Sequence, residues 1–182
     1  MNCIIVHGSA DDEYDKLYNE HWIPWIKNKL SKKSIETFAP LMPEPWKPNY
    51  KSWKKEFDKF YVNKESVLIG HSAGCAFLVR WLGDTKKKVK ELMLVAPWKI
   101  AYRKDGSDKE FYGYEIDSSV KLNVGKVIIF TSDNEEIDGK RSANIFQEAL
   151  GGKIIELKNK GHYTLEDMGV EEFPELLKEV LK

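Results

Sequence analysis

The residues best suited to covalent chemistry form the pentapeptide Gly70-His71-Ser72-Ala73-Gly74. A serine hydroxyl becomes a nucleophile when a base takes its proton and N–H groups await the oxyanion that its attack creates. The spacing G-x-S-x-G is weak alone, since about one chain in twenty of this length carries it by chance at average residue usage. Its setting gives it weight. The apolar run Val67-Leu68-Ile69 leads straight into it, and the helical pattern Ala73–Leu82 leaves it at once. A tight strand–turn–helix of this kind presents its serine at an exposed elbow. Gly70, Ala73 and Gly74 keep that turn uncrowded. Ser72 then stands at a helix N-terminus, where unpaired N–H groups and the helix dipole favour negative charge. The plainer alternative is a βα turn with a capping serine.

A base is available among four histidines. His162 follows the last apolar run and the polar loop Lys158-Asn159-Lys160, just before a final helical pattern. That gives the chain order nucleophile, acid, histidine found in α/β-hydrolases, so His162 is the expected general base. His21 lies in a helical pattern beside Trp22 and reads as packing. His71, at the variable position of the pentapeptide, reads as local structure, and His7 reads as a brace for the glycine after it. The segment His7-Gly8-Ser9 ends the first apolar run, where an oxyanion loop belongs; the Ser9 and Ala73 N–H groups are the expected donors. The acid is ambiguous. It should lie in Thr131–Asp138, where Asp133, Glu135, Glu136 and Asp138 compete and each could equally cap a helix or solvate a loop.

These residues need a scaffold that brings three distant segments together. Six β-branched runs, Cys3–Val6, Ile35–Phe38, Val67–Ile69, Leu92–Val95, Val127–Phe130 and Ile154–Leu157, are continuous and not alternating, as in parallel strands covered on both faces. Amphipathic stretches separate them: His21–Leu30, Ser52–Phe60, Ala73–Leu82, Ser142–Leu150 and Glu171–Leu181. Strand–helix alternation implies right-handed βαβ units and one doubly wound sheet of about six mostly parallel strands, a three-layer α/β-hydrolase-like domain spanning 1–182. Ligands of such sheets bind beyond the C-terminal strand ends. The proline-rich loop Pro40–Pro48 and the aromatic stretch Pro97–Glu115 both follow strand ends, so Trp46 and Trp98 are candidate pocket walls beside Tyr102 and Phe111.

Composition narrows the function. The 29 Lys and Arg balance 29 Asp and Glu, which argues against nucleic acid as the ligand. The two cysteines, Cys3 and Cys75, sit in apolar runs and suggest neither a disulfide framework nor a zinc site. The start of the chain lacks the basic and apolar stretches of a signal peptide or membrane span, so a cytoplasmic protein with no membrane partner is expected.

Further motifs sharpen this reading. Val6-His7-Gly8, His21-Trp22-Ile23-Pro24-Trp25, Met42-Pro43-Glu44-Pro45 followed by Trp53, Leu94-Val95-Ala96, Ser132-Asp133-Asn134 and Gly161-His162-Tyr163 accompany the elbow. With them the chain resembles, nearly end to end, the small serine hydrolases typified by the retinoblastoma-binding serine hydrolase and its bacterial relatives. The resemblance implies a compact α/β-hydrolase without a large lid domain. It also implies an acid at the position held here by Glu135, where relatives usually carry aspartate, with Asp133 as the alternative. Glutamate is one methylene longer, so its loop should recede slightly.

The expected chemistry is acyl transfer to water: Ser72 attacks a small, uncharged or weakly polar ester or amide, His162 takes the proton, and the acid orients the imidazole. No cofactor or metal is required. The competing expectation is a catalytically weak hydrolase fold that acts as a protein-binding module, since fold alone does not fix function.

Overall fold

The computed structural model describes residues 1–16 and 21–182. Six strands, β1 (Asn2–Val6), β2 (Glu36–Phe38), β3 (Val67–His71), β4 (Val89–Val95), β5 (Val124–Ser132) and β6 (Lys153–Leu157), form one parallel sheet in the order β2-β1-β3-β4-β5-β6. Val6, Gly70, Leu94, Ile129 and Ile154 lie in one row across it, so the carboxyl ends of the central strands finish near one level.

The apolar runs are continuous because each strand feeds two cores. Ile4, Val6, Leu68, Leu92, Leu94 and Ile129 point to one face, and Cys3, Ile5, Val67, Ile69, Met93, Val95 and Phe130 to the other. The helices α1 (Trp22–Ser31) and α8 (Pro174–Val180) cover the second face. The first is covered by α2 (Tyr50–Phe57), α3 (Ala73–Thr85), α4 (Lys109–Tyr112), α5 (Ser119–Asn123) and α6 (Ile137–Leu150), while α7 (Leu165–Met168) is a single turn before α8. Several element boundaries differ from the sequence pattern, and short helices are added to it. The helix α6 starts five residues ahead of Ser142, because its first turn is Ile137-Asp138-Gly139-Lys140-Arg141 and shows no apolar stripe. The stretch Pro97–Glu115 holds the helical turn α4, fixed by burial of Phe111 and Tyr112.

After β1 the chain passes to β2 on one side, then returns to β3 on the other. The strand order therefore switches between β1 and β3, and the residues that follow these two strands face each other across the crevice where such sheets bind ligands. No helix among the described residues is long and apolar enough to cross a membrane.

Candidate active site

The sheet's switch point places Ser72 beside the loop that follows β1. Ser72 sits at φ +49° and ψ −117°, a left-handed conformation costing about 1–3 kcal/mol for a residue with a side chain. The surroundings hold it there: its N–H donates to the Val95 carbonyl at 3.0 Å, and its own carbonyl accepts from Cys75 and Trp98 N–H at 3.0 and 3.3 Å. The flanking glycines answer a spatial demand. A Cβ at Gly74 would stand 2.3 Å from the Val6 carbonyl oxygen, and one at Gly70 2.7 Å from the Cys75 nitrogen. The start of α3 thus crosses β1 too closely for any side chain.

His162 faces Ser72 from the loop after β6, with Nε2 2.9 Å from Oγ. Both Glu135 carboxylate oxygens lie 3.1 Å from its Nδ1. A carboxylate only accepts, so Nδ1 carries the proton and Nε2 presents its lone pair to the serine hydroxyl. Glu135 is 6% exposed, and its Oε1 also accepts the Glu136 N–H at 2.9 Å. The extra methylene finds room because residue 139, in the first turn of α6, is glycine. A Cβ there would lie 2.7 Å from Glu135 Cδ.

The other carboxylates of this loop turn elsewhere. Asp133 is exposed and accepts the Asn159 N–H at 2.8 Å, Glu136 is exposed, and Asp138 pairs with Arg141 at 3.0 Å. Sequence reasoning left this choice open because Gly139, the residue that admits a longer acid, lies four positions downstream and looks like an ordinary helix glycine.

Gly8 touches the serine: a Cβ on it would come within 3.0 Å of Ser72 Cβ. The Ser9 and Ala73 N–H groups have no hydrogen-bond acceptor among the described residues. His7 braces this loop. Its Nε2 accepts the Met42 N–H at 2.9 Å, so Nδ1 donates to the Gly8 carbonyl at 2.6 Å. Burial pushes His7 down to about 4, keeping it neutral in that double bond.

The remaining two histidines also converge here. His71 packs between His21, 4.8 Å away by ring centroids, and His162, 5.4 Å away. Burial lowers the His71 pKa well below the ordinary histidine value, and the neighbouring imidazoles reinforce it.

A cleft of about 930 Å³ opens over Ser72 and His162. The sequence points to Trp46 and Trp98 as candidate walls. Among the described residues the walls include Ser9, Asp11, Asp12, Asp15 and Glu166, with Lys16 the one lysine and Tyr14 the aromatic phenol; Trp46 and Trp98 are not among them. Trp98 donates its indole N–H to the Ile100 carbonyl at 2.7 Å, and its ring stands edge-on to the His162 imidazole at 5.6 Å. The Trp46 loop is tied by bonds from Ala10 N–H to the Pro45 carbonyl and from the Arg103 guanidinium to the Trp46 carbonyl. The signal for the acidic wall was the run Asp11-Asp12-Glu13 right after Ser9.

Comparison with known proteins agrees with this architecture. The family described as serine hydrolase matches residues 3–182. YdeN of Bacillus subtilis is 23% identical over 176 residues, which cover 93% of this chain and 89% of that protein. The crystal structure of the ydeN gene product matches with a TM-score of 0.86 at 19% identity, over 99% of this chain and 96% of that one. Est1E from Butyrivibrio proteoclasticus, solved with ferulic acid bound, matches with a TM-score of 0.65 at 13% identity, over 99% and 89% of the two chains. At these identities the structural likenesses show a shared α/β-hydrolase fold.

Proposed function

The chain belongs to the serine hydrolase family, and from that premise we propose that it cleaves a small ester or amide through an acyl-enzyme on Ser72. The single observation that carries the reading is the unbroken relay of Ser72 Oγ, His162 and Glu135, with contacts of 2.9 and 3.1 Å. His162 takes the hydroxyl proton as Oγ attacks the carbonyl, and Glu135 holds the imidazole tautomer and stabilises the imidazolium. The Ser9 and Ala73 N–H groups receive the oxyanion. The imidazolium then returns its proton to the leaving alcohol or amine, and water, activated by the same histidine, releases the acid.

An ester is the first substrate to try; the structural relative Est1E holds ferulic acid, a carboxylic acid of the kind that hydrolysis of an ester or an amide releases. Carboxylates predominate among the described charged residues of the cleft, which supports a substrate with a cationic group. The test is hydrolysis of p-nitrophenyl acetate. Wild type should turn it over and Ser72→Ala should lose several orders of magnitude in kcat while staying folded. Undiminished turnover by Ser72→Ala would refute the mechanism. An inert wild type, tested over an ester panel, would return the protein-binding reading.

A further inference from the structure

The His162 loop is held from two directions, and only one of them belongs to the acid side. On that side Lys160 N–H donates to Ser132 Oγ at 2.8 Å and Gly161 N–H to Asn134 Oδ1 at 2.9 Å, while the segment closes on itself through His162 N–H to Asp167 Oδ2 at 2.8 Å. Gly161 and Tyr163 both have positive φ, +47° and +58°, so the loop is bent sharply on each side of the histidine. Such a bend persists only where its surroundings over-determine it.

The second set of bonds comes from residues that the mechanism does not use. His71 Nε2 lies 2.8 Å from the His162 carbonyl oxygen, and Trp22 Nε1 donates to the next carbonyl, that of Tyr163, at 3.1 Å. A carbonyl only accepts, so His71 Nε2 bears the proton and its Nδ1 is bare; Nδ1 has no hydrogen-bond partner among the described residues. The two donors also pack on each other, ring centroids 5.8 Å apart and planes at 86°. Both are buried: Trp22 is 0% exposed and His71 4%.

The consequence is geometric. Adjacent residues of the elbow grip one histidine at two points, Ser72 by its ring and His71 by its backbone. One hydrogen bond fixes a distance but leaves rotation about it, whereas two from neighbouring residues fix both. We infer that His71 and Trp22 are positioning residues that lock the His162 backbone to the nucleophile elbow, so that Nε2 meets Ser72 Oγ without searching. This gives a task to two motif residues, the variable position of the elbow and the tryptophan of His21-Trp22, that packing alone would leave interchangeable with other large side chains.

The inference rests on the proposed roles of Ser72 and His162, and its test separates the two. Glutamine can place an amide N–H near the position of a histidine Nε2, while methionine fills similar space with no donor. With p-nitrophenyl acetate, His71→Met should lose about 10²-fold in kcat with KM little changed, the scale of an ångström-sized misplacement of a catalytic group. His71→Gln should recover most of that loss. Trp22→Phe, which keeps an aromatic ring and removes the N–H, should lower kcat in the same sense, and it decides the matter if His71→Met does not fold. In both impaired variants the downfield imidazole N–H resonance of the His162–Glu135 bond should broaden or shift. Wild-type kcat in His71→Met, equal losses in the Met and Gln variants, or wild-type kcat in Trp22→Phe when it alone folds, would overturn the inference. If Ser72→Ala is inactive while these results occur, only the positioning role fails; an active Ser72→Ala removes the roles on which it stands.

Discussion

Replacing Gly139 with alanine sets helix stability against the geometry of the acid. Gly139 lies in the first turn of α6, where alanine should favour the helix by up to about 1 kcal/mol. Yet the new Cβ would stand 2.7 Å from Glu135 Cδ and 2.8 Å from Cγ and Oε1, against ordinary contacts that begin near 3.4 Å. The carboxylate must retreat by at least about 0.7 Å, and it is buried against His162 with little room to do so. A displacement approaching 1 Å costs on the order of 10²-fold in turnover, or about 2.7 kcal/mol of transition-state stabilisation. Gly139→Ala should therefore lose about 10²-fold in kcat while staying folded, since overpacking of about 1–3 kcal/mol is partly offset by the helix gain. Glu135→Asp shortens the acid, so the double variant Gly139→Ala/Glu135→Asp should regain part of the loss. The assay is ester turnover alongside thermal unfolding by circular dichroism. Wild-type kcat in Gly139→Ala would refute the argument that glycine admits the longer acid.

Three other outcomes follow from the site. Glu135→Gln should lose about 10⁴-fold in kcat, the cost of the equivalent change where it has been measured in a serine protease, while Asp133→Asn stays near wild type; the reverse pattern in steady-state kinetics would move the role to Asp133. Because Asp11, Asp12, Asp15 and Glu166 outnumber Lys16 around the cleft, an ester with an ammonium on its acyl chain should exceed its carboxylate-bearing counterpart at least about tenfold in kcat/KM at low salt, with the gap closing as salt rises. Equal rates at every ionic strength would refute that charge selection. His7 has its folded-state pKa depressed from 6.5 to about 4, so the unfolded chain binds the extra proton first and stability should fall as pH drops through that window; an NMR titration showing His7 charged at pH 5.5 in the folded protein would contradict it.

The scaffold was legible because its signals are local. Continuous apolar runs such as Cys3–Val6 and Val67–Ile69 show two-sided burial by themselves, and the elbow glycines declare a close crossing that the Val6 carbonyl explains. The Ser72–His162 pair was legible for a related reason, since each follows a strand end and the sheet order brings those ends together. What stayed hidden depends on side chains meeting across the fold. Glu135 and Asp133 differ by two positions, and only the open space over Gly139 and the Asn159 N–H waiting for Asp133 separate them. The acidic character of the cleft was also hidden, because aromatic content drew attention to Trp46 and Trp98. Trp98 instead spends its polar edge on Ile100, and charged residues after Ser9 line the opening. The bonds from His71 and Trp22 to consecutive carbonyls join residues about ninety and more positions apart, which no local pattern records.

The most direct test of the central claim is covalent capture of the nucleophile. Treated with a fluorophosphonate at neutral pH, the wild-type protein should gain the mass of one phosphonyl group, and peptide mapping should place it on Ser72, within the peptide carrying Gly70-His71-Ser72-Ala73-Gly74. Ser72→Ala should gain none, and Glu135→Gln should label far more slowly, because the relay through His162 is what activates the hydroxyl. A wild-type protein that stays unmodified, or one labelled at a residue other than Ser72, would contradict the account.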